Sequence, residues 1–259
     1  MPTNKRSHEH REAAESFGVD AERYDRTRPR YPAEMITAIL EATDGRDVLD
    51  VGCGTGISSR PFAEAGCRVL GVEPDPRMAA VARRHGIEVE ESAFEVWDAR
   101  ERTFDLVVAG QTWHWVDPVA GAHRAADVLR PHGRIALFWN AMEPEPAIAA
   151  AFAQVTARLL PEAPAASSVA GAYDAMSGAA AEGLRTTGRF DEPEIWRYGW
   201  ERRYTRDEWL DQLPTFGFHT RLPPERLGPI LDANGAVIDE AGGVFRMCFT
   251  AVAVTANRR

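Results

Sequence analysis

Cysteine is scarce in this chain. Three stand among 259 residues (Cys53, Cys67 and Cys248), without paired spacing and without a His/Cys cluster of zinc-site type, which excludes a disulfide framework and a structural zinc. No apolar run approaches the eighteen or more residues of a membrane span. The opening Met1 to Glu15 is polar and charged, with no apolar heart of a signal peptide. Internal repeats are absent. Positive charge is in deficit as well, with 30 Lys and Arg against 39 Asp and Glu and a formal net charge of −9. Such a surface repels phosphate backbones, so bulk nucleic-acid binding is not expected. These absences together predict a soluble, cytoplasmic chain with reduced thiols and with neither a membrane nor a nucleic-acid partner.

What is present is ordinary for a globular protein: 44% hydrophobic, 27% charged and 9% aromatic residues, enough to bury a core unaided. The length suits one large α/β domain, or a core domain with a smaller cap. Two local basic stretches, Arg23 to Arg30 and Arg197 to Arg206, read as solvated surface charge.

The first 20 or so residues carry several charges and little apolar periodicity, so residues 1–30 read as an N-terminal arm or lid. From Tyr31 the pattern changes. Pro32 suits a first helical turn, and Met35, Ile36, Ile39 and Leu40 recur at helical spacing. Short apolar runs bounded by turn residues then alternate with helical segments. Strands are expected at 47–51, 68–72, 87–89, 104–109 and 134–139, and helices at 58–65, 76–84 and 118–129. Strict alternation demands parallel strands with crossover helices. After Asn140 the rhythm breaks. Residues 147–160 and 173–184 look helical, with a Pro/Ala/Ser linker at 161–168 between them. A sixth strand at 194–204, a helix opened by the Thr205/Glu208 capping pattern, a helix at 223–240 and a closing strand at 244–255 complete the chain. The expected fold is α/β: a Rossmann-like, doubly wound, seven-stranded, mostly parallel sheet with a small helical cap. Residues 31–140 would form the core, 141–190 the cap (with 205–221 contributing), and 191–259 the part that completes the sheet.

The informative segment is Val48-Leu49-Asp50-Val51-Gly52-Cys53-Gly54-Thr55-Gly56. A strand ends at Asp50-Val51, and the turn after it needs residues that accept positive φ or a very close ligand. Gly52, Gly54 and Gly56 leave bare backbone and free N–H groups facing a bound group. The spacing is G-x-G-x-G rather than the G-x-G-x-x-G of dinucleotide sites. A carboxylate at Asp50 would repel a pyrophosphate and suit an ammonium. Glu73 closes the second strand about 20 residues after the first glycine, where an acidic side chain accepts hydrogen bonds from ribose hydroxyls. The ligand these features describe is a nucleoside with free hydroxyls and a cationic tail.

At this point the chain resembles the class I S-adenosylmethionine (SAM)-dependent methyltransferases. Residues 48–56 match their first motif, and Gly71-Val72-Glu73-Pro74-Asp75-Pro76-Arg77-Met78 is similar to the second. The match covers about residues 45–140 and is of the type 11 methyltransferase kind. Gln111-Thr112-Trp113-His114-Trp115-Val116-Asp117, with Tyr24-Asp25-x-x-Arg28-Pro29-x-Tyr31-Pro32, resembles a branch related to trans-aconitate methyltransferases. The resemblance implies SAM as cofactor. It places Met78 against the adenine, Pro74 in the cofactor-binding set, and Ser92, Ala93 and Phe94 in the loop at the adenine edge, where many members have Asp at the position of Ser92. Cys53 and Gln111 join this cofactor set, and Cys53 reads as a small filler rather than a nucleophile. Tyr24 and Tyr31 would close over the site, and Arg28 would contact either the SAM carboxylate or the acceptor. Trp113, His114, Trp115 and Tyr31 are the candidate acceptor-binding residues. His114 is either a general base for a hydroxyl acceptor, an orienting group for a carboxylate, or pocket wall.

The activity implied is in-line methyl transfer from SAM to a small molecule, by a monomer or homodimer. Three alternatives stand beside it: a SAM-binding protein that does not methylate (structural use, or a reaction such as cyclisation), an NAD-dependent oxidoreductase, and a methyltransferase acting on a macromolecule.

Overall fold

The computed structural model describes residues 16–162 and 169–259; the start of the expected arm and most of the 161–168 linker lie outside them. Among the described residues the α-helices are α1 (Ala21–Thr27), α2 (Ala33–Glu41), α3 (Ser59–Glu64), α4 (Pro76–Arg84), α5 (Pro118–Val128), α6 (Pro146–Leu159), α7 (Val169–Thr187), α8 (Arg206–Gln212) and α9 (Pro224–Glu240). The strands are β1 (Asp47–Val51), β2 (Arg68–Val72), β3 (Glu88–Glu90), β4 (Phe104–Gly110), β5 (Leu129–Pro144), β6 (Glu194–Thr205) and β7 (Val244–Asn257). They form one sheet in the order β3-β2-β1-β4-β5-β7-β6. The first five pair in parallel, and β7 runs antiparallel to both of its neighbours.

Alternation along the central strands divides the core in two, because successive side chains leave opposite faces of a sheet. Leu49, Val51, Val107, Ile135 and Leu137 face one layer with Ala122, Ala125 and Leu184. Val48, Leu106, Val108, Ala136 and Phe138 face the other with Met35, Ile39 and Phe62. With both faces covered, these strands read as near-continuous apolar runs. Each fully buried Leu, Ile or Phe among them contributes about 1.5–3 kcal/mol.

β5, β6 and β7 run past the short parallel strands and carry a third apolar cluster. Tyr204, Trp209, Phe245, Met247 and Phe249 meet Ile148 of α6 and Ile230 and Ile238 of α9 there. The capping box at α8 is present: Thr205 Oγ1 accepts from Glu208 N at 3.2 Å, and the Glu208 carboxylate accepts from Thr205 N at 2.9 Å. Such a cap contributes about 0.5–2 kcal/mol.

Two expectations differ from the structure. Residues 141–190 do not form one cap. Residues 141–144 continue β5, α6 packs on α9, and α7 lies on α5 and the sheet. The small face of α7 explains its placement, since a Cβ on Gly183 would come within 2.4 Å of Pro118 O. The N-terminal segment is helical from Ser16 onward, and its Phe17, Ala21 and Tyr24, at helical spacing, pack on Met78 and Val81 of α4. Polar ties add to that contact. Asp25 accepts from Arg60 at 2.7 Å and meets His85 Nε2 at 2.9 Å, while Arg26 pairs with Asp211 of α8 at 2.8 Å. The Arg23–Arg30 stretch is therefore partly internal wiring rather than solvated charge alone.

Candidate active site

A cavity of about 490 Å³ opens over the carboxyl ends of β1, β2, β4 and β5. The strand order reverses between β1 and β4, where open α/β sheets leave a crevice for ligands. Its floor is the turn after β1. Gly52 N donates to Val72 O at 2.7 Å, and Gly52 has a φ of +63°. A Cβ there would lie 2.1 Å from Thr112 Cγ2, so conformation and crowding both demand glycine. Gly54 N donates to one oxygen of Glu73 and Asp75 N to the other, each at 2.9 Å. Glu73 is only 7% exposed, and burial pushes its carboxyl up to about 7 against the pull of those two N–H groups. A carboxylate offers about four lone-pair sites, so two remain for a ligand diol. This is a good fit for the ribose of SAM.

Beside Glu73 lies an apolar slot of Val72, Pro74, Met78, Ala93 and Phe94, suited to a flat aromatic ring. Cys53 also lines the cavity, but Gly71 passes so close that a Cβ there would fall 2.5 Å from its sulfur. Burial pushes the Cys53 thiol well up, in keeping with a filler.

Four expected site residues do not reach the cavity. Asp50 is fully buried beneath the turn. Its Oδ2 accepts from Ser58 and Ser59 hydroxyls at 2.7 and 2.6 Å, and burial pushes its carboxyl up to about 6. Both serines take the same oxygen, Oδ1 is buried without a partner, and Asp50 does not line the cavity. Gly56 faces Ala82 and Ile87 on the far side of the turn and shapes it from behind. Ser92 donates its hydroxyl to Ala93 O at 3.0 Å. Trp113, 2% exposed, is in the core against Phe94, with ring centres 6.2 Å apart.

The opposite side of the cavity is made of side chains. Gln111 has a φ of +57°, an uncommon conformation for a non-glycine residue, and its Nε2 donates to Asn140 O at 3.2 Å. Tyr31 lies edge-on to Phe138 at 4.7 Å, and burial pushes its phenol well above the usual range. His114 packs on Trp115 with ring centres 4.7 Å apart. Its Nδ1 accepts from Trp139 Nε1 at 3.2 Å, and burial lowers its pKa to about 4, so the imidazole is neutral. The Arg28 guanidinium is stacked over Phe216 at 4.4 Å and Tyr24 at 4.8 Å and donates to Thr215 O.

Phe17, Asn140, Met142, Tyr173, Met176 and Phe216 also line this side, and the sequence reading did not single them out. They come from four separate segments, so no single motif joins them. Asn140 and Met142, two apart on β5, and Tyr173 and Met176, three apart on one helix face, offered the periodic signals. Among the described residues no group of His, Cys, Asp and Glu could hold a metal, and no helix is long and apolar enough to cross a membrane.

Comparison with known proteins agrees with this geometry. A family model described as a methyltransferase domain matches residues 49–137. An uncharacterized methyltransferase of Mycobacterium tuberculosis is 39% identical over 133 residues, 50% of this chain and 54% of that protein. The chain thus spans about half the length of the first curated relatives it matches. A ubiquinone biosynthesis O-methyltransferase of Xanthomonas axonopodis pv. citri is 33% identical over 178 residues, 61% of this chain and 73% of that protein. A candidate type II methyltransferase from Anaeromyxobacter dehalogenans shares the fold, with a TM-score of 0.66 at 24% identity, over 89% of this chain and 97% of that one.

Proposed function

The chain belongs to the class I SAM-dependent methyltransferases, and on that premise we propose that it binds SAM in this cavity and methylates a small-molecule carboxylate or hydroxyl. The observation that carries the reading is Glu73: a desolvated carboxylate, fixed by two backbone N–H groups, with spare lone pairs facing an apolar slot. Glu73 would take the ribose hydroxyls, and Met78, Ala93 and Phe94 would flank the adenine. The ammonium end would meet backbone carbonyls in place of Asp50. Gly52 and Gly110 both line the cavity, and the Thr112 hydroxyl fixes their oxygens at 2.9 and 3.2 Å. When bound, SAM supplies a methyl group on a sulfonium that is already a good leaving group.

The chain's remaining task is to align the acceptor for in-line displacement and to keep water out. Tyr31, His114, Trp115, Tyr173 and Phe216 form the wall that would do so. A cavity of about 490 Å³ falls within the range of small-ligand sites, which supports a small acceptor over a macromolecule. The net charge of −9 and the free thiols support a cytoplasmic setting without nucleic-acid or membrane partners.

The test is calorimetric titration with SAM and its demethylated product, followed by transfer of labelled methyl to a panel of small carboxylic acids and phenols. Binding with label in one acceptor class is the expected result. A folded protein that binds neither nucleoside overturns the cofactor assignment, and binding without transfer to any acceptor overturns the activity.

A further inference from the structure

We propose that Trp139 is a positioning residue that holds His114 with its hydrogen on Nε2, so that His114 donates a hydrogen bond to the acceptor instead of removing its proton. The inference rests on the methyl-transfer reading above and sharpens its acceptor half.

Trp139 lies on β5 opposite Val252 of β7 and is 1% exposed. An indole N–H donates and cannot accept, and a buried one needs a partner. Its partner is His114 Nδ1 at 3.2 Å. A nitrogen facing a donor must present its lone pair, so in a neutral imidazole the hydrogen resides on Nε2. Burial acts alone on the ring and holds it neutral, with its pKa lowered to about 4. A neutral ring whose lone pair is taken by an indole has no site left for a proton from the acceptor.

The surroundings point the same way. Burial pushes the Tyr31 and Tyr173 phenols up, so both stay protonated and able to donate. Arg28 is a cation. Of the carboxylates that line the cavity, Glu73 is engaged by the Gly54 and Asp75 N–H groups and Asp75 by Arg77, while Glu95 follows Phe94 at the adenine slot, on the cofactor side. The acceptor atom is therefore met by donors and arrives already ionised. Its oxygen lone pair forms the new O–C bond as the S–C bond of the sulfonium breaks, the electron pair stays on sulfur, and no proton has to move.

The test is nitrogen NMR of the full chain carrying 15N-labelled histidine, with and without SAM. The chain has seven histidines, and the His114 signals are those lost in His114→Gln. The expected spectrum at neutral pH has a pyrrole-type Nε2 and a pyridine-type Nδ1; a pyrrole-type Nδ1 overturns the proposal. In Trp139→Phe the two tautomers should mix. Should that variant not fold, the wild-type spectrum still decides.

Kinetics supply a second readout. Glutamine keeps an N–H donor near the place of Nε2, so kcat/KM of His114→Gln should exceed that of His114→Leu at least about tenfold. Loss of a general base would lower both variants alike, by about 10²–10⁴-fold, and that equal loss overturns the proposal. Titration with SAM checks the premise separately. A folded protein that fails to bind SAM sinks methyl transfer while the spectrum still reports the tautomer.

Discussion

The floor and the far wall of the cavity are built on different principles. The floor is backbone: Gly52 and Gly54 at positive φ, their N–H groups engaged by Val72 O and Glu73, and a single carboxylate at the end of β2. The wall is side chains drawn from the N-terminal segment, the loop after β4, the extension of β5, helix α7 and the turn after α8. A backbone floor depends on a short run of sequence and tolerates little change. A wall of scattered side chains can be altered one residue at a time, which suits a family sharing one cofactor among many acceptors.

That contrast predicts the largest loss for Glu73→Ala. Two hydrogen bonds to a charged group vanish, each contributing about 1.5–3 kcal/mol, so the Kd for SAM should rise at least about 100-fold in calorimetry. The melting curve should fall only modestly, because the lost desolvation cost of the buried carboxylate offsets the two N–H groups left without it. A variant that binds SAM as the wild type does would place the cofactor elsewhere.

A smaller effect, about tenfold, is expected from pH. The folded Glu73 carboxyl is raised from 4.5 to about 7, and ribose hydroxyls donate best to its ionised form. SAM affinity should therefore rise roughly tenfold from pH 6 to pH 8 and level off above that. Unliganded stability runs the other way. An acid whose pKa is raised on folding favours the folded state below the unfolded value, and that contribution is lost as pH climbs from 4.5 to about 7. Affinity flat across this range would mean that Glu73 is not the ribose partner.

The floor was legible in the sequence and the wall was not. Strands β1 and β2 and helix α4 fall at the boundaries read from their apolar runs, glycines and Pro76, and the Thr205/Glu208 box is where its spacing put it. These are local signals, complete within a few residues. Spacing puts Asp50 at the turn but carries no sign that the Ser58 and Ser59 hydroxyls hold its Oδ2 beneath it. Strand β5 was read too short because its last residues owe their conformation to antiparallel pairing with β7, about a hundred positions away. Helix α1 escaped notice because its apolar period is short, only Phe17, Ala21 and Tyr24, and the ion pairs with Asp211 and the Asp25 cluster that also hold it leave no hydrophobic pattern.

The smallest effect is the one that separates the two halves most finely. Phe216 touches the wall alone. It stacks on the Arg28 guanidinium at 4.4 Å and adjoins Trp209 at 5.7 Å. Truncation to Ala would remove a cation–π contact of about 0.5–2 kcal/mol and loosen Arg28 while leaving the glycine turn untouched. If Arg28 serves the acceptor, KM for the acceptor should rise about threefold to tenfold while the Kd for SAM stays within about twofold. If the SAM affinity falls and the acceptor KM does not, Arg28 holds the carboxylate end of the cofactor, and the floor extends across to the N-terminal segment. A fall in both, in equal proportion, would mean that wall and floor form one cooperative surface, and the division between them would not stand.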